Sequence, residues 1–402
     1  MKIKKIKIEN YKSFKNLEVE LGNLNVLIGP NAGGKTNFIS IFRFLRKASE
    51  GLDKALSSEG GFDFLKNFKA NGDEGISIEM EISLESRTEE FEFNNEEDEI
   101  PKRFRVRLPG LIQFSYNLKN NENETSITIK NFSIEEIYRA GRYIEKPIWE
   151  GNLELEAYFD KISFESLEKK FKNSRWLTLK VLEFILDYSL PLLDLKIFDR
   201  NFGIYDFDTK TMKQAYTRLD ESDLKSDGSN LVAFLEKILS NEIKRKKLLN
   251  LIGYVLDFIE DVKVKRSIFD YFSFELKEKF DEKYLPSFLV SDGTVRVLAV
   301  IVALYFQNKS FVIFEEPERN IHPYLLSRIV DLFKEASKEK QILITTHNPE
   351  FLKYIDLENI LVVSRDEDGF STVKRLSEIE DIKFFLKNEI GVDELLVGNL
   401  LK

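Results

Sequence analysis

The chain contains no cysteine, which excludes disulfides, thiolate metal sites and cysteine nucleophiles. Histidine occurs twice, methionine three times and proline nine times in 402 residues, so an imidazole-rich metal centre and a proline-rich linker are equally absent. No apolar run is long enough to span a bilayer: the longest, Val297–Phe306, falls well short of the ~20 residues required. The amino-terminal MKIKKIKIENYKSF alternates Lys with Ile and lacks the apolar stretch and small-residue cleavage site of a signal peptide. A soluble, cytoplasmic protein is expected. There is also no net positive charge, since 60 Lys and Arg against 69 Asp and Glu give −9. Any nucleic-acid contact must therefore be local. The content of 43% hydrophobic and 32% charged residues describes a folded, well-solvated chain, long enough for two or three lobes.

The pattern along the chain suggests three lobes, 1–160, 161–290 and 291–402. In the first, residues 3–8 and 18–28 read as strands, and the second of these runs through a glycine-rich turn into a helix from Lys35 to about Lys47. From Ile76 to Lys130 the period becomes two, as in ISIEMEISLE and LIQFSYNLK, which predicts an appended antiparallel sheet. From Ser163 to Leu285 helical periodicity dominates, clearest in SRWLTLKVLEFILDYSL and SNLVAFLEKIL, with an irregular stretch near 196–216. The last third returns to α/β order: a helix from Thr294, strands at 311–314, 342–345 and 360–364, and helices after Pro323 and Pro349. The fold class is α/β.

The sharpest motif is Gly29-Pro30-Asn31-Ala32-Gly33-Gly34-Lys35-Thr36, a complete GxxxxGK[ST] string between a predicted strand and a predicted helix. Its backbone N–H groups, with Asn31 to Asn37 in the cradle, suit the phosphates of ATP. Lys35 would bridge the β- and γ-phosphates, and the Thr36 hydroxyl would bind Mg²⁺. A chance match in a chain this long is on the order of one in a hundred.

A second signal is Phe311-Val312-Ile313-Phe314-Glu315-Glu316, an apolar strand ending in carboxylates, where open α/β sheets place ligands. Glu315 would hold Mg²⁺ through water and Glu316 would act as general base. Alone, this string reads first as a solvated acidic turn after a core strand. Beside a P-loop the functional reading prevails.

Ser291-Asp292-Gly293-Thr294 opens an apolar helix and admits simple N-capping, as does the similar Ser226-Asp227-Gly228-Ser229. Both histidines lie in the last lobe. His322 reads as structural, whereas His347 ends a strand where an imidazole would contact a γ-phosphate or the attacking water.

Taken in order, NYKSF, GPNAGGKTN, SDGTVRVLA, FEEPERNIHP and TTHNPEF resemble the ABC-type ATPases of the RecF, structural-maintenance-of-chromosomes and overcoming-lysogenization-defect group, over roughly 1–45 and 285–365. The resemblance implies a P-loop NTPase head of ABC type, with an antiparallel β subdomain and a helical signature lobe. It also implies two heads closing as a homodimer around ATP. Ser291 and Gly293 resemble the signature segment that touches the nucleotide of the opposite head, and His347 resembles the switch histidine. Glu315 stands where most such proteins carry Asp.

Gln113 is a candidate glutamine-loop residue and equally a strand-surface residue. The 55 residues after His347 are too few for the Toprim nuclease domain of the third group, and Asp366 to Gly369 reads as a hairpin turn, so a stand-alone head is expected. The expectation is a Mg²⁺-dependent ATPase in DNA maintenance, repair or phage defence, with DNA or a nuclease or other effector as partner and no membrane association. An ABC transporter motor and a non-hydrolysing nucleotide-gated scaffold are the alternatives. Lys102, Arg103, Arg105 and Arg107 and the run Lys244 to Lys247 are candidate DNA contacts, or solvated faces of an acidic protein.

Overall fold

The computed structural model describes residues 1–69, 74–84, 87–93, 102–108, 111–119, 122–139, 142–158, 161–163, 195–217, 223–267 and 271–379. The contact pattern divides the chain in two, where the sequence reading set three consecutive lobes. One unit comprises Met1–Leu21, Ser40–Arg200 and Gly369–Ser371; the other comprises Gly22–Ile39, Asn201–Asp368 and Thr372–Lys402. The amphipathic piece at 174–190 lies outside the described residues. Among the described residues no helix is long and apolar enough to cross a membrane.

β1 (Lys2–Tyr11) and β2 (Phe14–Glu20) form an antiparallel hairpin in the first unit. β3 (Leu24–Ile28) belongs to the second unit, so the apolar run that reads as one strand from 18 to 28 is two. The break is made by side-chain chemistry: Asn25 Oδ1 accepts from Gly22 N at 2.8 Å, and Asn25 Nδ2 donates to Gly22 O at 2.9 Å. Helix α1 (Lys35–Ala48) then passes from the second unit into the first.

The first unit continues with β4 (Ile76–Ser83), β5 (Arg87–Phe93), β6 (Lys102–Leu108), β7 (Leu111–Lys119), β8 (Glu122–Arg139), β9 (Arg142–Tyr158) and β10 (Lys161–Ser163). With β1 and β2 these make a nine-stranded sheet in the order β10-β9-β8-β7-β4-β1-β2, with β6 also paired to β8 and β5 to β6. The period-two pattern pays out in register: Ile6, Met80 and Phe114 stand opposite one another across three strands, all buried. The aromatic rings Phe44 and Tyr116 meet edge-on at 5.9 Å, and Phe114 and Phe198 at 5.1 Å.

The second unit holds β11 (Phe202–Tyr205), β12 (Ile259–Arg266), β13 (Phe272–Glu278), β14 (Tyr284–Pro286), β15 (Phe311–Glu315), β16 (Gln341–Thr346), β17 (Ile360–Arg365) and β18 (Ser371–Arg375), the last beginning at the boundary of the first unit. Its main sheet runs β11-β15-β16-β3-β17-β18, and the four pairings from β11 to β17 are parallel. Those strands are apolar almost throughout, as a sheet covered on both faces requires. Helices Leu231–Leu239, Asp292–Tyr305 and Leu326–Ala336 contribute to the same core, in which Phe314 and Phe333 meet at 5.2 Å. The segment before Ser291, whose periodicity predicts mainly helix, also contains the antiparallel sheet β12-β13-β14. Its alternating stretches, IEDVKVKR and FSFELKE, are too short to stand out from the helical background. Residues 366–369 form the expected turn between β17 and β18, with Gly369 at φ +82°.

Candidate nucleotide site

Four parallel strands deliver chemistry to one edge of the main sheet, because β3, β15, β16 and β11 all end there. β3 leads into the glycine-rich loop. Gly29 is forced by packing, since a Cβ there would lie 2.0 Å from Val363 O on β17. Arg365 Nε donates to Ala32 O at 3.0 Å and ties the loop to the end of β17. Asn31, Ala32 and Thr36 are exposed, Asn37 is half-buried, and Gly33, Gly34 and Lys35 are buried. Lys35 Nζ donates to Gly29 O at 2.7 Å and to Pro30 O at 3.0 Å, so the loop's own carbonyls hold the ammonium where a phosphate would compete for it. Burial pushes the Lys35 ammonium down to about 8, opposed by the nearby Glu316 carboxylate.

Glu315 ends β15 opposite Thr345 of β16 and is half-buried. Glu316 turns out of the strand with φ +43°, a left-handed conformation, while its N–H donates to Thr345 O at 2.9 Å. This reversal separates the directions of the two adjacent carboxylates. Glu316 Oε1 lies 3.5 Å from His347 Nε2, and Arg319 grips Oε2 through Nε at 3.0 Å and Nη2 at 2.6 Å. Burial lowers the His347 imidazole below its ordinary 6.5; the Lys35 charge adds to this and Glu316 opposes it. Lys35, Glu316 and His347, called from separate motifs, thus feel one another at one site.

Ser291 caps helix Asp292–Tyr305, its Oγ accepting from Thr294 N at 3.1 Å, and Asp292 pairs with Lys213. Gly293 has a reason within its own chain: a Cβ there would meet Asn320 O at 2.5 Å. His322 likewise accepts from Tyr324 N at 3.4 Å as a cap, which is a structural task. Gln113 sits half-buried on β7 of the first unit, opposite Glu81.

The two basic runs lie on β6 and on the helix Glu242–Val255. Arg103 and Arg105 of β6 stand opposite Glu92 and Glu90 of β5. Arg245 pairs with Asp261 at 2.8 Å, and Lys247 lies over the Tyr305 ring at 5.4 Å.

Three residues of this neighbourhood carry no role in the sequence reading: Arg296, Glu318 and Arg319. A signal exists for the first, a lone Arg in the apolar helix VRVLAVIVALY, which is buried on every side. Thr36 and Glu315 offer a hydroxyl and a carboxylate, hard oxygen donors of the kind that Mg²⁺ takes while keeping most of its water. Among the described residues no cluster of three or more His, Asp or Glu offers an all-protein metal cage.

A P-loop at the end of a central parallel strand, with paired carboxylates ending the next strand but one and a histidine ending the strand between them, defines an ATPase head of the ABC type. The chain belongs to the family described as "AAA domain, putative AbiEii toxin, Type IV TA system", whose model matches residues 24–353. It is 23% identical over 390 residues to Endonuclease GajA of Bacillus cereus, covering 91% of this chain and 59% of that protein. An uncharacterized protein of Methanocaldococcus jannaschii is 27% identical over 139 residues, or 31% of this chain and 36% of that one. The chain thus spans well under two thirds of the length of either relative. Among solved structures, the SmcHead bound to the C-winged helix domain of ScpA covers 95% of this chain and all of that one, with a TM-score of 0.53 at 15% identity, a likeness of fold.

Proposed function

We propose that the chain hydrolyses ATP in a Mg²⁺-dependent reaction, with two copies closing head to head around the nucleotide. It would act on DNA or with a nuclease or other effector in DNA maintenance or phage defence. The observation that carries this reading is the convergence of Lys35, Glu316 and His347 at the strand ends beside the phosphate loop. Lys35 would exchange its two loop carbonyls for β- and γ-phosphate oxygens. Thr36 and Glu315 would hold Mg²⁺, which when bound neutralises charge on the phosphates. Glu316 would orient and deprotonate the attacking water, and His347 would donate to the γ-phosphate or the water. Ser291 and Gly293 would serve the opposite head's nucleotide, and Arg319, which grips Oε2 of Glu316, would leave Oε1 to take the proton. The name of the Bacillus cereus relative favours a role beside nucleic-acid cleavage.

The test is Glu316→Gln, which keeps size and hydrogen bonding. It is expected to bind ATP, release no phosphate and accumulate as an ATP-dependent dimer in gel filtration. Phosphate release at the parental rate would exclude Glu316 as the base. A parental protein that binds ATP without hydrolysing it would leave a nucleotide-gated scaffold.

A further inference from the structure

Glu318 follows the base by two residues and is almost wholly buried, at 6% exposure. A buried carboxyl is expensive, and nothing in the loop's backbone path requires one. Its Oε1 accepts from Thr346 Oγ1, and Thr346 Oγ1 in turn accepts from Asn348 N at 2.9 Å, so the two bonds enclose His347. Oε2 is buried without a hydrogen-bond partner, as is Nε of Arg296, whose Nη2 donates to Phe207 O at 2.8 Å. The two charges act on each other through the interior. The groups around Glu318 are therefore Thr346 from β16, Arg296 from helix Asp292–Tyr305, and Glu316 and Arg319 from its own turn, with Asp206 at the end of β11 acting on both arginines.

We propose that Glu318 is a positioning residue for hydrolysis: through Thr346 it fixes the distance between the base Glu316 and His347. Two ties hold the Glu316 turn to the end of β16, the backbone bond from Glu316 N to Thr345 O and the side-chain bond between Thr346 and Glu318. Cutting the second leaves one tie and lets the His347 side move. Burial pushes the Glu318 carboxyl up to about 7, which fits a group held in place by its surroundings in spite of its charge. The catalytic part of this proposal rests on the ATPase reading; the positional part does not.

The test compares Glu318→Ala and Thr346→Val, which cut the tie, with Glu318→Gln and Thr346→Ser, which keep it. Because the chain has only two histidines, each imidazole can be followed by proton NMR. The cutting variants are expected to raise the His347 titration toward 6.5. They should also lower kcat by roughly ten- to hundredfold with KM for ATP held within about twofold, while the conserving variants recover most of kcat. Thr346→Val provides the same reading should Glu318→Ala fail to fold. A His347 titration unchanged by either cutting variant overturns the proposal, as does equal loss in Thr346→Ser and Thr346→Val. If the parental protein binds ATP but releases no phosphate, the ATPase reading falls while the NMR comparison still decides the tie.

Discussion

Replacing Glu318 by Gln should remove the pH dependence of stability that this carboxyl imposes. The group titrates at about 7 in the fold against an ordinary 4.5, raised first by burial and further by Glu316, and lowered in part by the Thr346 hydrogen bond. Below pH 4.5 both the folded and the unfolded chain carry the proton, and no penalty arises. Between 4.5 and 7 the unfolded chain ionises while the folded one keeps its proton, so folding loses ground as pH rises; above 7 the full penalty stands. At about 1.4 kcal/mol per pH unit the difference amounts to roughly 3 kcal/mol. The amide is neutral throughout, can still meet Thr346, and offers a second polar atom toward Arg296. Thermal melts of parental and Glu318→Gln proteins should coincide at pH 4 and diverge toward pH 8, with the variant higher by about 3–5 °C at ~1–1.5 °C per kcal/mol for a chain of this length. Two melting curves that keep a constant separation across the series would refute the reasoning, because they would show that Glu318 carries no proton into the fold.

Lys35 titrates at about 8 before nucleotide arrives, and phosphate needs the ammonium; ATP affinity is therefore full below that pH and should fall as pH rises past it, by up to about tenfold per unit, in isothermal titration. Lys35→Ala should bind ATP too weakly to show this fall while retaining the parental melting curve. Ser291→Arg should abolish ATP-dependent dimers in gel filtration yet leave ATP binding by one head intact; normal dimers would reduce Ser291 to a cap. Gly293→Ala should cost about 1–3 kcal/mol in a denaturant titration, because its Cβ would meet Asn320 O at 2.5 Å, and an unaltered midpoint would mean that the 316–321 turn gives way freely.

The parts of this molecule written locally were legible in the sequence. The GxxxxGK[ST] string, the apolar strand before Glu315 and the strand before His347 each depend on a few consecutive residues, and each stands where its pattern places it. The break between β2 and β3 was not legible, because Asn25 looks like an interruption inside a strand until its side chain is seen closing a turn on Gly22. The buried group around Glu318 was hidden for a different reason. Its members are separated by 22 and 28 residues, and no periodicity links Arg296, Glu318 and Thr346. What the sequence did display was a charge inside an apolar helix, a mark of an unseen partner.

The two Ser-Asp-Gly strings show how structure separates what composition cannot. In Ser226-Asp227-Gly228-Ser229, Gly228 takes φ +74°, Asp227 Oδ1 accepts from Ser229 N at 2.9 Å, and the following helix begins only after Asn230. That string is a turn that ends itself. In Ser291-Asp292-Gly293-Thr294, the serine caps directly, the glycine lies inside the first helical turn, and its missing side chain admits Asn320. One turn further along the same helix, Arg296 is buried, and the Glu318 charge acts on it. The helix start therefore meets the turn that carries Glu316 by close backbone approach. A ligand or partner that moves Ser291 must move this turn or break its packing, so the residues proposed to meet the opposite head's nucleotide are mechanically joined to the base that acts on this head's own.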